Sequence, residues 1–502
     1  MNEGSPIVVP DAFVALAARL RLRSTRDVEN GAMPRKPSPE KLETFVRRQD
    51  AVTLADVLLE LAAEHDDVRK RLERLALSDQ PKALATAFRK SLAGWKRSTR
   101  FFGYAEARHF GRELEHWLDQ VERELLPKDP MQALDLVESF VKADAAFFER
   151  ADDSDGAIGD AVRAGCRLWL RCAARCEAPA AQWPDRITAL FDADDYGARE
   201  PLLRQANLLL DEPALRAMVA GFEQRLDRLL AEADATPERR TPSGIFHLSA
   251  ALSLLSEALQ DPDVHVAAVL RYSPQPNPMQ KEGFVHAYLK VDRPADALRW
   301  LDGSWDHQED SRRRWLAQAL HRLGRTEEAA DTRQRIFERT LEVSDLHAWM
   351  ELLPPAAQGQ AASRARALAE RSDDPMVVAR LWLDLGDDAA AEQALVTNPK
   401  KLRGGGYGLL LPLAKTLEER ALWAGTTVVY RQLLLDILER AYTPAYRHGA
   451  KYWVRLLEIA SQHPGLTVTP SPATFEAEVR LRHGRKSSFW AQVSAATGAT
   501  QR

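Results

Sequence analysis

The residues with the clearest chemical potential are Asp152, Asp153 and Asp155, which flank Ser154 and stand just before Gly156. Carboxylates grouped around a glycine turn supply the oxygen ligands that calcium and magnesium prefer. An EF-hand register with Gly156 in sixth place, however, puts Ala151 first and Val162 twelfth, so both anchoring carboxylates are missing. The same aspartates also precede a helix expected from about Ala157, whose free N–H groups and positive end favour acidic caps. This turn therefore has two readings, a helix cap and a weak metal candidate. Asp192, Asp194, Asp195 and Gly197 form a second acidic turn with the same two readings.

Nucleic-acid chemistry asks instead for cations to meet phosphates and rings to stack on bases. Residues 89–112 carry Arg89, Lys90, Lys96, Arg97, Arg100, Arg108 and Arg112, with Trp95, Phe101, Phe102 and Tyr104 interleaved. The competing account is structural. Trp95 and Phe102 share one helix face as core residues would, which leaves Arg89, Lys96 and Arg100 on a solvated face. A second basic knot, Arg480, Arg482, His483, Gly484, Arg485 and Lys486, precedes Phe489-Trp490. Gly484 reads as a helix stop and the two rings as an anchor docking the C-terminus. Contacts of Arg482, Arg485 and Lys486 with phosphate, nucleic acid or an acidic partner are the second reading of this knot.

The familiar catalytic signatures are missing. There is no Gly-x-x-x-x-Gly-Lys phosphate loop, no His-Glu-x-x-His and no Gly-x-Ser-x-Gly elbow. His65-Asp66 lacks the preceding histidine of a metal-dependent phosphohydrolase and reads as a solvated cap. The three cysteines, Cys166, Cys172 and Cys176, fall in one expected helix with no His to complete a metal set. They read as small apolar residues of a core face. No catalytic, cofactor-binding or metal-binding set is assigned, and no cofactor is expected.

The elements that hold these residues are helical throughout. Hydrophobic residues at 45%, charged residues at 28% and a net charge of −4 fit a globular chain with no global pull toward nucleic acid or membrane. The start of the chain lacks a secretion signal, and no apolar run is long enough to cross a bilayer. A cytoplasmic protein is expected. Helices are expected over 104–126, 130–150, 157–177 and 212–233, with Thr53-Leu54-Ala55-Asp56 resembling a capping box. The expected organisation is a flexible arm at 1–40, a helical domain at 41–233, a linker at 234–244, a helical-repeat domain at 245–493 and a disordered tail at 494–502.

The repeat reading rests on three stretches, Val291–Leu298, Leu323–Ala330 and Leu385–Glu392. Each has a turn residue (Asp292, Gly324 or Gly386) with an alanine five positions later (Ala297, Ala329 or Ala391). The turns lie 32 and 62 residues apart, close to one and two periods of a tetratricopeptide (TPR) helix pair. A small residue at that place lets the second helix approach the first. A fourth pair is expected over 413–434, with Gly425 five after Arg420. The fold class is all-α, a helical bundle followed by a degenerate TPR-like α-solenoid. An irregular α-array with similar helix stops is the other reading.

Residues 149–156, Asp194-Asp195-Tyr196-Gly197 and 482–490 resemble segments of a bacterial family of unknown function, DUF6880. Phe337-Glu338-Arg339-Thr340-Leu341 and residues 435–441 are similar to its central and late parts. The resemblance implies a bacterial helical protein and transfers no catalytic residue. The leading functional expectation is a non-enzymatic protein-interaction scaffold with a protein partner. A nucleic-acid module using Arg89, Lys90, Lys96, Arg97 and Arg100 is the alternative, and a metal enzyme at 152–155 stands third.

Overall fold

The computed structural model describes residues 39–77, 79–234, 244–402 and 405–500. Most of the expected arm at 1–40, residues 235–243 of the expected linker, and residues 501–502 lie outside the described residues. Among the described residues every named element is helical, and an isolated bridge joins Phe102 to Ala151.

The helices run in chain order as α1 (Pro39–Val46), α2 (Ala51–Glu64), α3 (Asp66–Ala76), α4 (Pro81–Arg97), α5 (Tyr104–Gln120), α6 (Pro130–Val141), α7 (Asp144–Phe148), α8 (Ala157–Ala174), α9 (Trp183–Asp192), α10 (Pro201–Arg204) and α11 (Glu212–Asp234). Then come α12 (Gly244–Leu259), α13 (Pro262–Tyr272), α14 (Pro278–Lys290), α15 (Pro294–Leu298), α16 (Glu309–Arg322), α17 (Thr326–Thr340), α18 (Val343–Met350) and α19 (Pro355–Ala369). The series closes with α20 (Pro375–Asp384), α21 (Asp388–Thr397), α22 (Tyr407–Glu419), α23 (Trp423–Glu439), α24 (Tyr446–Gln462), α25 (Pro472–His483) and α26 (Ser487–Thr500). The last helix takes in residues 494–500, which had been expected as a disordered tail.

Two compact units emerge, one up to Phe222 with Glu257–Leu259, the other Glu223–Ser256 with Gln260 onward. The division falls inside α11, ahead of the 234–244 segment.

The first unit is organised by rings. Phe110 lies edge-on to Trp95 at 6.2 Å and to Phe147 at 6.0 Å, while Trp117 stacks on Phe140 at 5.5 Å. Two glycines let helices close on this cluster. A β-carbon at Gly111 would stand 2.8 Å from the Ala157 carbonyl oxygen, and one at Gly165 would stand 2.8 Å from the Phe140 ring. The cap of α2 is Asp50, whose carboxylate accepts from Val52 N at 3.0 Å and Thr53 N at 2.9 Å, so the start precedes the expected Thr53 box. The expected 130–150 helix breaks at residues 142–143, and the Asp144 that follows forms a buried fork with Arg199 at 2.7 and 2.8 Å. Burial alone would lower the Arg199 guanidinium, yet the Asp144 carboxylate holds it above its ordinary value.

The second unit is organised by turns. From α12 onward many helices open on proline at the first helical positions. Asn277 and Gln280 form a reciprocal capping box on α14, and Asp387 accepts from Ala390 N at 2.9 Å to start α21. Each such cap stabilises its helix by about 1 kcal/mol.

Candidate functional site

The recurring turn is one backbone structure. Asp292, Gly324 and Gly386 have φ of 57°, 76° and 78°. In each case the next N–H reaches back to close the preceding helix: Arg293 to Tyr288 O, Arg325 to Leu320 O and Asp387 to Trp382 O, all at 2.9 Å. These are Schellman closures, which satisfy carbonyls at a helix end. Ala297, Ala329 and Ala391 are all fully buried.

The same closure recurs at residues the sequence did not flag. Gln260, Ala421 and Ala441 have φ of 53°, 58° and 51°. Asp261 N bonds Ser256 O at 2.9 Å, Leu422 N bonds Leu417 O at 2.9 Å, and Tyr442 N bonds Ile437 O at 3.1 Å. Ala421, not Arg420, is therefore the turn of the fourth expected pair. Gly425 packs against α21, where a β-carbon would lie 3.3 Å from Leu395 Cδ1, and against α22, 3.5 Å from Leu417 Cδ2.

Arginines tie equivalent ends together. Arg322 donates to the Leu289 carbonyl and Arg420 to the Leu383 carbonyl at 3.0 Å. Both acceptors stand three residues before a left-handed turn. Asp345 is buried and accepts a fork from Arg314 at 2.9 and 2.7 Å and a hydrogen bond from Thr340 at 2.9 Å. Burial alone would raise its carboxyl, but Arg314 and Thr340, with Arg333 nearby, hold it below the usual carboxylate range.

The acidic turn does not converge on a common point. Asp153 accepts from Ile158 N at 2.7 Å and Gly159 N at 3.0 Å, capping α8. Asp155 pairs with Arg108 at 3.0 Å, and Asp152 accepts from Ser154. Asp194 gathers four backbone amides, from Tyr196, Gly197, Ala198 and Arg199, at 2.7–3.3 Å. Among the described residues, no three His, Cys, Asp or Glu side chains form a group able to hold a metal ion.

The basic segment 89–112 splits. Helix α4 ends at Arg97, so Phe102 is not on Trp95's helix face. It stacks on Phe110 at 4.5 Å from an extended stretch tied to residues 150–152. Arg89 donates to Gln132, Arg100 pairs with Glu106 at 2.6 Å, and Arg108 with Asp155. Lys90, Lys96 and Arg97 are exposed, as are Phe101 at 61% and Tyr104 at 56%. In the late knot, Arg482 and Arg485 are exposed and Lys486 is half-buried, while Phe489 is fully buried.

Burial raises all three thiols, Cys176 from a half-buried position. Cys166 and Cys172 are fully buried, and burial pushes the Cys172 thiol up to about 12. A cleft of about 370 Å³ in the first unit is walled by Glu138, Lys142, Arg186 and Arg199. Within it Glu138 accepts from Lys142 at 2.7 Å, Arg186 at 2.6 Å and Trp169 Nε1 at 3.0 Å, and Arg199 is held by Asp144. A second cleft, about 310 Å³ in the other unit, lies among Ser249, His265, Tyr272, Met279 and Phe284. Among the described residues no helix is long and apolar enough to cross a membrane.

Several motifs noted in the sequence are explained by these contacts. Arg150 lies over the Phe110 ring and donates to Ser98 O at 2.8 Å, and Tyr196 stacks on Phe148 at 4.5 Å. Thr340 serves Asp345, and Ala441 takes the left-handed turn after residues 435–440. No curated protein and no solved structure matches the chain. Residues 46–492 match the model of a family described as a family of unknown function, DUF6880, and the chain belongs to that family.

Proposed function

We propose that this chain is a non-enzymatic protein-interaction scaffold whose second half is a degenerate TPR-like α-solenoid. The observation that supports it most is the repeated left-handed closure at Gln260, Asp292, Gly324, Gly386 and Ala421. The matching arginine ties to Leu289 O and Leu383 O add to it. Units that recur in this way bury a shared core between neighbours and leave outer helix faces for peptides or partner helices. Between Gly324 and Gly386, the helix start at Pro355 falls about one repeat period after Gly324, which fits the reading. Purification of the tagged full chain from its native cells under gentle conditions should recover a stoichiometric protein partner. Recovery of the chain alone would contradict the reading.

A second reading, a nucleic-acid-associated module, is favoured by the exposed Phe101 and Tyr104 beside Lys90, Lys96 and Arg97. It expects oligonucleotide binding that falls steeply with salt and vanishes in Lys96→Glu/Arg97→Glu. Salt-insensitive binding, or none at about 50–100 mM salt, ends it.

A further inference from the structure

We infer that the C-terminal end of the second unit, around Arg447, Lys451, Arg482, Arg485 and Lys486, is a docking surface for a partner segment combining acidic and apolar side chains. The inference rests on the scaffold reading and gives its partner a chemistry.

The sequence separates charge sharply here. From Arg440 to Leu457, and again from Val479 to the C-terminus, no Asp or Glu occurs, although the whole chain has a net charge of −4. The fold joins the two segments. Buried Phe489 lies edge-on to Tyr446 at 5.7 Å, and a β-carbon at Gly449 would stand 3.3 Å from its ring. Trp490 meets Trp453 at 5.3 Å and donates to His483 O at 3.0 Å. Arg480 lies over both indoles, 4.9 and 5.7 Å from their centroids. The turn between α25 and α26 is thereby held against the first turns of α24, which carry Arg447 and Lys451.

Three of the cations here are neutralised within the fold. Arg440 pairs with Asp436 at 3.1 Å, Arg455 with Glu418 at 2.7 Å and Arg480 with Glu476 at 3.0 Å. Arg447, Lys451, Arg482, Arg485 and Lys486 have no carboxylate partner among the described residues, and all but Lys486 are exposed. Burial, followed by the Lys486 charge and then Arg482, holds His483 below its usual range against the opposing charge of Glu439.

The apolar component is Leu481, 87% exposed between Arg480 and Arg482. An exposed aliphatic side chain beside Arg482, with Arg485 four residues on, suits a segment offering both carboxylates and apolar groups. A single-strand stacking platform would need free rings. Phe489, Trp453 and Trp490 are engaged in the anchor, and Arg440 lies over Tyr442 at 5.7 Å.

The test measures fluorescence anisotropy of the full chain with a labelled helical peptide of glutamates and leucines. A glutamine-for-glutamate version, oligo-dT and phosphatidylserine vesicles serve as competing probes. The expected result is binding to the acidic peptide that weakens at least about tenfold in Arg482→Glu/Arg485→Glu, and again as salt rises from about 50 to about 300 mM. Leu481→Ser should weaken it severalfold, and Lys82→Glu should leave it unchanged. Melting curves verify that these surface variants remain folded. Equal affinity for the glutamine peptide, indifference to the double charge reversal, or tighter binding of oligo-dT or vesicles would each overturn the inference. A co-purified partner retained by Arg482→Glu/Arg485→Glu would also overturn it while leaving the scaffold reading standing.

Discussion

The two units share one material, the helix, and differ in what makes the helices fit. In the first, large rings from distant parts of the chain meet at Phe110, Trp117, Phe140 and Phe147, and Gly111 and Gly165 provide the room. In the second, left-handed turns and small buried residues recur along the chain, and arginine ties such as Arg322 to Leu289 O and Arg420 to Leu383 O link one turn to another. A ring cluster concentrates stability in a few side chains. A repeated turn distributes it over many equivalent positions, each of modest value.

Breaking the first arrangement should have the largest effect. Phe110→Ala should cost about 3–5 kcal/mol, read by denaturant unfolding followed through tryptophan fluorescence. A loss no greater than that of a turn variant would erase the contrast between the units. In the second unit, Asp345 departs from distributed stability because, like Arg431, it is a buried charge. Asp345→Ala should cost about 2–3 kcal/mol by leaving Arg333 without its carboxylate, while Arg314, 40% exposed, can turn to water. The carboxyl is depressed in the fold, so its contribution is complete above the unfolded value of about 3.9 and is lost as pH falls below that. Asp345→Asn should remove this part of the acid sensitivity. An unchanged pH profile of melting would contradict the assignment.

Smaller effects sharpen the account of the repeat. Ala329→Phe and Ala391→Phe should each overpack a helix contact and cost about 1–3 kcal/mol. Unchanged melting of both would mean that these alanines do not set the spacing. The turn itself predicts a reversal of sign. Gly324→Ala and Gly386→Ala should lose about 1–2 kcal/mol, because alanine resists positive φ. Ala421→Gly and Ala441→Gly relieve the same cost and should gain up to about 1 kcal/mol, partly offset by unfolded-chain entropy. Equal effects in both directions would show that backbone strain is not what distinguishes these positions.

These contrasts also explain how far the fold was legible. Gly324 and Gly386 announce their turns because glycine is the residue that left-handed backbone favours. Gln260, Ala421 and Ala441 adopt the same backbone without that signal, held by the closing hydrogen bonds and their neighbours, so the turn recurs more often than the glycines suggest. The ring cluster and the Asp144–Arg199 fork join residues far apart in the chain, and no local pattern encodes them. Phe102 was misplaced because the chain leaves the helix at Arg97, where neither glycine nor proline marks the exit. Asp153 as a cap was legible, since a short carboxylate ahead of an apolar-periodic segment has that local use. Charge pairing was not. The sequence shows seven cations in 89–112, and only the fold shows that Arg100 and Arg108 are already matched by carboxylates.

The claim that the repeated helix pairs form a binding scaffold is tested most directly by hydrogen–deuterium exchange on the full chain, alone and with its co-purified partner. The account predicts slowed exchange in helices of the second unit, between residues 260 and 500, with the first unit unchanged. Slowing confined to residues 39–222, or no change anywhere in the presence of a stoichiometric partner, would contradict it.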